Sequence, residues 1–218
     1  GESNLFDIGP AHAEQVIINS PVLSQAKLRQ LLGPDMFEDR HVFIDLNVDE
    51  DLSLPEALDA ICAAAEQAVR DGKLLVMLSD RYLEKGKLPV HALLATGAVH
   101  HHLVQTGLRC DANIIVETGV ARDAHHVACL IGYGATMVYP YLVYQSLHDI
   151  AQRGNIDKQR QLGRSYRRGI RKGLFKVMSK MGISTYQSYC GAQIFDAVGL
   201  NKAFVDEYFA GTPAPVEG

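Results

Sequence analysis

Three consecutive histidines stand in the middle of the chain, in GAVHHHLVQTG at 97–107, and two more follow in ARDAHHVACLIGYG at 121–134. Imidazole is a common metal ligand, so this density raises the question of a metal centre. Helical metal sites place their histidines at i and i+4. Successive residues on a helix point about 100° apart, so His100, His101 and His102 cannot close on one ion, and His125 and His126 cannot either. Chelation would need one imidazole from each cluster. The alternative is that some of these rings are buried and hydrogen-bonded while the rest reach solvent. That reading is preferred, and no metal site is assigned. Cys62, Cys110, Cys129 and Cys190 lie far apart in apolar segments without CxxC spacing, which gives no local support for zinc or iron-sulfur ligation. They read as buried, reduced thiols.

A second set of reactive types falls where α/β proteins carry chemistry, at the carboxyl ends of strands. These are Asp45 with Asn47, then Ser79, Asp80 and Arg81, then Glu117, Thr118 and Gly119, then Tyr139 and Pro140. Such a ring could bind a polar ligand or move protons. Asp and Ser at strand ends also cap the helix that follows, and no histidine or cysteine nucleophile joins the ring, so a structural role is favoured. GxGxxG, P-loop and GxSxG motifs are missing from the sequence. Lys176, Ser179 and Lys180 could hold a phosphate.

The elements that would position these residues are legible. Four apolar runs, HVFIDLN at 41, KLLVMLS at 73, ANIIVET at 112 and ATMVYP at 135, are each followed by a helix-like segment. None alternates strictly, as expected of strands buried on both faces of a parallel sheet. Ser53, Pro55 and Glu56 mark the start of the first helix, and Gly72 its end. The second helix-like segment runs from Pro89 to Gly107, and the third ends at Gly134. The fold class is therefore α/β, a parallel sheet of four βα units, either open or half of an eight-stranded barrel.

After Pro140 the pattern becomes helical, with a long basic helix over 157–181. Arg160, Arg164, Arg168, Lys172, Lys176 and Lys180 recur every four residues, opposite an apolar stripe of Leu162, Tyr166, Ile170, Leu174 and Met178. Asp157 is the one acidic residue between Arg153 and Lys180. The basic row is either a solvated face or a docking surface for an acidic partner or a phosphate. Gly163, Gly169 and Gly173 each cost about 1 kcal/mol relative to alanine in a helix, which points to close packing against the backbone.

The chain has 218 residues and 47% hydrophobic content, enough for one sizeable core. Its net charge of -4 argues against nonspecific nucleic-acid binding. Its apolar runs fall short of the ~20 residues that span a bilayer, and the first residues lack a signal-peptide pattern, so a cytoplasmic location is expected. Residues 1–20 read as an N-terminal remnant or linker, 21–210 as a single α/β domain with C-terminal helices, and 211–218 as a linker.

LLVMLSDR, PVHALLATGAVHHHLVQTGLR, IIVETGVARDAHHVACLIGYGATMVYPYL and KGLFKVMSKMGISTYQSYCGAQIFDAVGL together resemble the central domain of the glutamate synthase large subunit, over 20–200. The resemblance implies a noncatalytic connector, related to an FMN barrel, that lies between a glutamine amidotransferase domain and an FMN-binding synthase domain with an iron-sulfur cluster. It would help to enclose the tunnel that carries ammonia while glutamate is made from glutamine and 2-oxoglutarate. It implies no catalytic residue, metal or cofactor in this segment, and partners in the neighbouring domains of the same polypeptide. The basic helix and MSKMGIST would then be interdomain surface. Two rival readings are a standalone flavin- or phosphate-binding enzyme using Asp45, Asp80, Arg81 and Glu117, and a metal module built on both histidine clusters.

Overall fold

The computed structural model describes residues 16–34, 36–154 and 156–218. The expected remnant at 1–20 lies outside these residues except for its last five positions. The long helix is described from Ile156, but the side chain of Asp157 is not.

Strands β1 (His41–Asp45), β3 (Leu75–Ser79), β5 (Asn113–Glu117) and β6 (Met137–Tyr139) form a four-stranded parallel sheet in that order. Three of its crossovers are the helices α2 (Leu54–Arg70), α3 (Ala92–Gln105) and α4 (Ala124–Gly132). Neighbours in sequence are neighbours in space, and the three helices pack on one face. The sheet is thus wound in a single sense, as an arc of a barrel is.

Side-chain alternation fills both faces. Val76, Leu78, Ile114, Val116 and Val138 point toward the helices and join Leu58, Ile61, Val99, Leu103 and Ile131 in the main core. Leu75, Met77, Ile115, Met137 and Tyr139 point the other way. In a closed barrel that second face would be the interior. Here α1 (Gln25–Leu31), capped by Ser24, covers it with Leu23, Leu28 and Leu31. Full burial of each such side chain contributes about 1.5–3 kcal/mol, which is why these runs lack the polar alternation of a half-exposed strand.

Several short elements escaped the sequence reading. Pro89 does not begin a helix. It ends β4 (Lys87–Pro89), which pairs antiparallel with β2 (Asn47–Asp49), and α3 begins at Ala92 behind a His91 cap. α1 was also missed, since seven residues are too few for a clear period. Helix α2 starts as expected, with the Ser53 N–H donating to the Glu56 carboxylate at 3.2 Å.

Helix α5 (Tyr141–Gln152) leads to α6 (Ile156–Lys180), and α7 (Tyr186–Tyr189) and α8 (Lys202–Tyr208) follow. Ile170, Leu174 and Met178 of α6 are buried in the main core, as the apolar stripe predicts. The glycines divide. A Cβ on Gly173 would overlap that of Ala124, so α6 crosses the start of α4 there, whereas Gly169 has nothing near it. Residues 211–218 lie against the domain. Tyr133 and Thr212 share a 2.6 Å hydroxyl hydrogen bond, and the Gly199 N–H donates to the Val216 carbonyl at 2.8 Å.

Candidate functional site

Strand register sets out the polar ring. Asp45 pairs with Ser79, Ser79 with Glu117, and Glu117 with Tyr139, so one row crosses the carboxyl edge of the sheet. Glu117 is its centre, 2% exposed. One carboxylate oxygen accepts from the Ser79 hydroxyl at 2.7 Å, the other from Arg81 Nη1 at 2.8 Å. The Arg81 guanidinium lies over the rings of Tyr82 and Tyr141, 5.5 and 5.4 Å from their centroids. Burial opposes the Arg81 cation, but the Glu117 carboxylate outweighs it and holds the pKa above its ordinary value.

Asp80 forms the second half. It accepts from the Thr118 hydroxyl and from the Gly119 N–H, the latter at 3.0 Å. Burial, with Asp80 beside it, pushes the Tyr141 phenol up to about 12. Ser79, Asp80, Arg81, Glu117 and Thr118 are thus brought together as expected. Tyr139, the fourth strand end, completes the cluster together with Tyr141, for which the only signal was its place beyond Pro140.

The other candidates do not join the hydrogen bonds of this cluster. Asp45 accepts from the backbone and side-chain amides of Asn47 at 2.9 and 2.7 Å, a local turn at the end of β1. The buried Oδ1 of Asn47 has no partner among the described residues. Lys176, Ser179 and Lys180 are exposed on the last turns of α6. Early in that helix Tyr166 meets Tyr144, which stacks on Tyr139 at the carboxyl edge. Beyond its end the Tyr186 hydroxyl donates to the Thr136 carbonyl before β6. Lys180 is therefore about 20 Å along the helix from Tyr166, at the opposite edge.

The histidines disperse. His102 binds Glu66 at 2.6 Å, His101 meets the Gln193 side-chain amide at 3.1 Å, and His126 accepts from the Arg122 N–H at 3.2 Å. His125 lies 3.6 Å from the Cys129 sulfur. Among the described residues no group of three or more His, Cys, Asp or Glu could hold a metal. Burial pushes the Cys62 and Cys129 thiols up to about 11, away from thiolate, whereas Cys110, expected to be buried, is exposed.

His100 is the most constrained of the rings. Its Nδ1 accepts from Arg109 Nε at 2.9 Å, and Arg109 also donates to the carbonyls of Ala112 and Gly134 at 2.8 and 2.7 Å. An arginine can only donate, so the ring carries its proton on Nε2. Burial, then the Arg109 charge, lowers its pKa to about 4. The folded state therefore resists protonation that the unfolded chain accepts near 6.5. Stability is expected to be full above pH 6.5 and to fall as pH drops toward 4, by about 2 kcal/mol at pH 4.5 after solvent screening. Urea midpoints at both ends of that window check this. His100→Gln should flatten that part of the profile, and an unchanged slope would place the titration elsewhere.

The carboxyl-edge cluster is a closed set of donors and acceptors on a singly wound sheet, and it lies within the span of a recognised sequence family. The family model for the glutamate synthase central domain matches residues 1–201. The chain belongs to the glutamate synthase central domain family. It is 38% identical over 230 residues to ferredoxin-dependent glutamate synthase 1 of Arabidopsis thaliana, covering 99% of this chain and 14% of that protein. It is 39% identical over 221 residues to the glutamate synthase [NADPH] large chain of Bacillus subtilis, covering 100% of this chain and 14% of that one. The glutamate synthase [NADH] of Saccharomyces cerevisiae is 32% identical over 231 residues, with 11% of its length covered. This central domain thus spans about one seventh of the plant and bacterial relatives it matches. Among solved structures, a mutant flavocytochrome b2 with benzoylformate is similar at a TM-score of 0.47 and 15% identity, over 90% of this chain and 46% of that one. A DHODH from Eimeria tenella in complex with ferulenol is similar at 0.44 and 16%, over 70% and 38%.

Proposed function

We propose that this central domain works as a noncatalytic connector within a glutamate synthase large chain. In this reading it links an amidotransferase domain to an FMN- and iron-sulfur-bearing synthase domain, and helps to enclose the path of ammonia between them. The parent polypeptide then makes glutamate from glutamine and 2-oxoglutarate in the cytoplasm, and its other domains carry the cofactors. The supporting observation is the internal pairing of the carboxyl edge. Both oxygens of Glu117 and both of Asp80 already accept hydrogen bonds from within the domain. Carboxylates engaged on both oxygens by their own domain tie neighbouring strand ends together. Part of the face that would be a barrel interior is also covered by Leu23, Leu28 and Leu31 of this domain. A connector needs rigidity and a water-excluding wall rather than chemistry of its own.

The isolated chain is expected to release no ammonia from glutamine and to gain no thermal stability from FMN. Ammonia release would overturn the connector reading, and a rise in Tm with FMN would favour a flavin-binding enzyme. In the full polypeptide, Glu117→Ala is expected to leave glutamine hydrolysis intact while glutamate formed per glutamine consumed falls. A variant with both activities and their ratio unchanged would remove the support for a role at this edge.

A further inference from the structure

The two edges of the parallel sheet are finished differently. Beyond β6, the segment at 21–23 runs alongside as a short parallel strand, with Leu23 N–H donating to the Val138 carbonyl and Val138 N–H to that of Pro21, at 2.9 and 2.8 Å. β1 has β3 as its one partner among the described residues. Leu74 N–H donates to the Arg40 carbonyl and Leu46 N–H to that of Ser79, so the even-numbered positions of this strand face β3. By alternation, the N–H and C=O groups of His41, Phe43 and Asp45 face the open edge. An open edge is commonly blunted by lysine, proline or a bulge. This one carries instead a Phe43 ring 44% exposed at its middle. Beside it an open groove of about 480 Å³ runs between β1 and α1, with Leu28, Leu32, Phe43, Met77 and Tyr82 as its apolar lining and Arg29, His41 and Glu117 as its polar lining.

We infer that the open edge of β1 is a self-association surface, on which a second copy of this chain pairs antiparallel about a two-fold axis through Phe43. The sequence of the strand is complementary to its own reverse. Centred on Phe43, the pairing sets His41 against the second copy's Asp45, Asp45 against its His41, and one Phe43 beside the other. All three side chains lie on the groove face of their strand. His41 is oriented for this: its Nδ1 donates to the Phe37 carbonyl at 2.7 Å, and as an imidazolium, which donates at both nitrogens, it turns Nε2–H to the opposing carboxylate. A parallel arrangement would face each residue with its own kind and lose both pairs. A two-fold contact is closed, so it gives a dimer and not a filament. The result is a continuous eight-stranded sheet with two largely apolar grooves meeting at the aromatic centre.

Sedimentation equilibrium of the native chain over a wide concentration range tests this. The expected mass rises from 23.9 kDa toward twice that value. Phe43→Lys alters both halves of the contact at once, so dissociation should strengthen by at least about tenfold. His41→Glu sets like charges opposite twice and should act similarly, while His41→Glu with Asp45→Lys restores complementarity and returns the dimer. The two surface variants carry the test if circular dichroism shows that Phe43→Lys does not fold. A mass of 23.9 kDa at every concentration overturns the inference, and so does a dimer indifferent to all three substitutions.

Discussion

Gly134→Ala is expected to destabilise this domain by about 3–4 kcal/mol, well beyond the roughly 1 kcal/mol typical of point substitutions. Two costs add at this position. The backbone sits at φ +109°, where a side chain is strained by about 1–2 kcal/mol. A Cβ placed there would also overlap the His100 imidazole and come within 2.8 Å of the His100 Cβ. The ring cannot retreat, because Arg109 holds one side and Gly191 closes the other. Overpacking of a fixed neighbour adds about 1–3 kcal/mol. Gly72→Ala is the comparison: it shares a positive φ of +84° but meets nothing within 4 Å, so only the backbone strain applies. Urea denaturation of the two variants separates these costs. Equal destabilisation would mean that the approach to His100 carries no cost.

Glu117→Ala is the second substitution expected to be severe, at about 3–5 kcal/mol. The lost Coulomb attraction is not the main reason. Removing the carboxylate leaves the Arg81 guanidinium, whose side chain is 25% exposed, without the anion that stabilises its charge, and leaves the Ser79 hydroxyl without its acceptor. The partly buried cation is what costs, so removing it as well should recover stability. Arg81→Met combined with Glu117→Leu is expected to lie within about 1.5 kcal/mol of the native domain, since apolar groups of similar volume replace the pair. A double variant no more stable than Glu117→Ala alone would show that the carboxylate acts through Ser79 and not through Arg81.

The strands were readable from sequence because burial on both faces leaves one local signature, a continuous apolar run between charged or glycine-bearing ends. Helix starts with a side-chain cap, as at Ser53 and Glu56, were equally local. The α1 helix and the β2–β4 hairpin were not, and for a common reason. Seven residues and two runs of three are too short to show a period, and Pro89 after a loop reads as a helix start unless its antiparallel partner forty-two positions earlier is known. The three glycines of α6 show the same limit. Their presence was legible, but only the crossing of α4 decided that Gly173 is closely packed and Gly169 is not.

The family of the chain, the composition of the carboxyl edge and the dispersal of its histidines and cysteines into separate stretches are properties of the sequence itself, since they depend on which residues occur and at what spacing. The tertiary structure alone decided which of those residues meet. Register across three strand pairs placed Ser79 and Glu117 side by side, thirty-eight positions apart in the chain, and let Arg81 close the pair. Packing likewise joined Arg109 to His100 and Gly134, and among the described residues it left β1 with an unpaired edge while β6 acquired a neighbour from residues 21–23. Such meetings follow from how helices and strands of given lengths stack, and no local spacing encodes them.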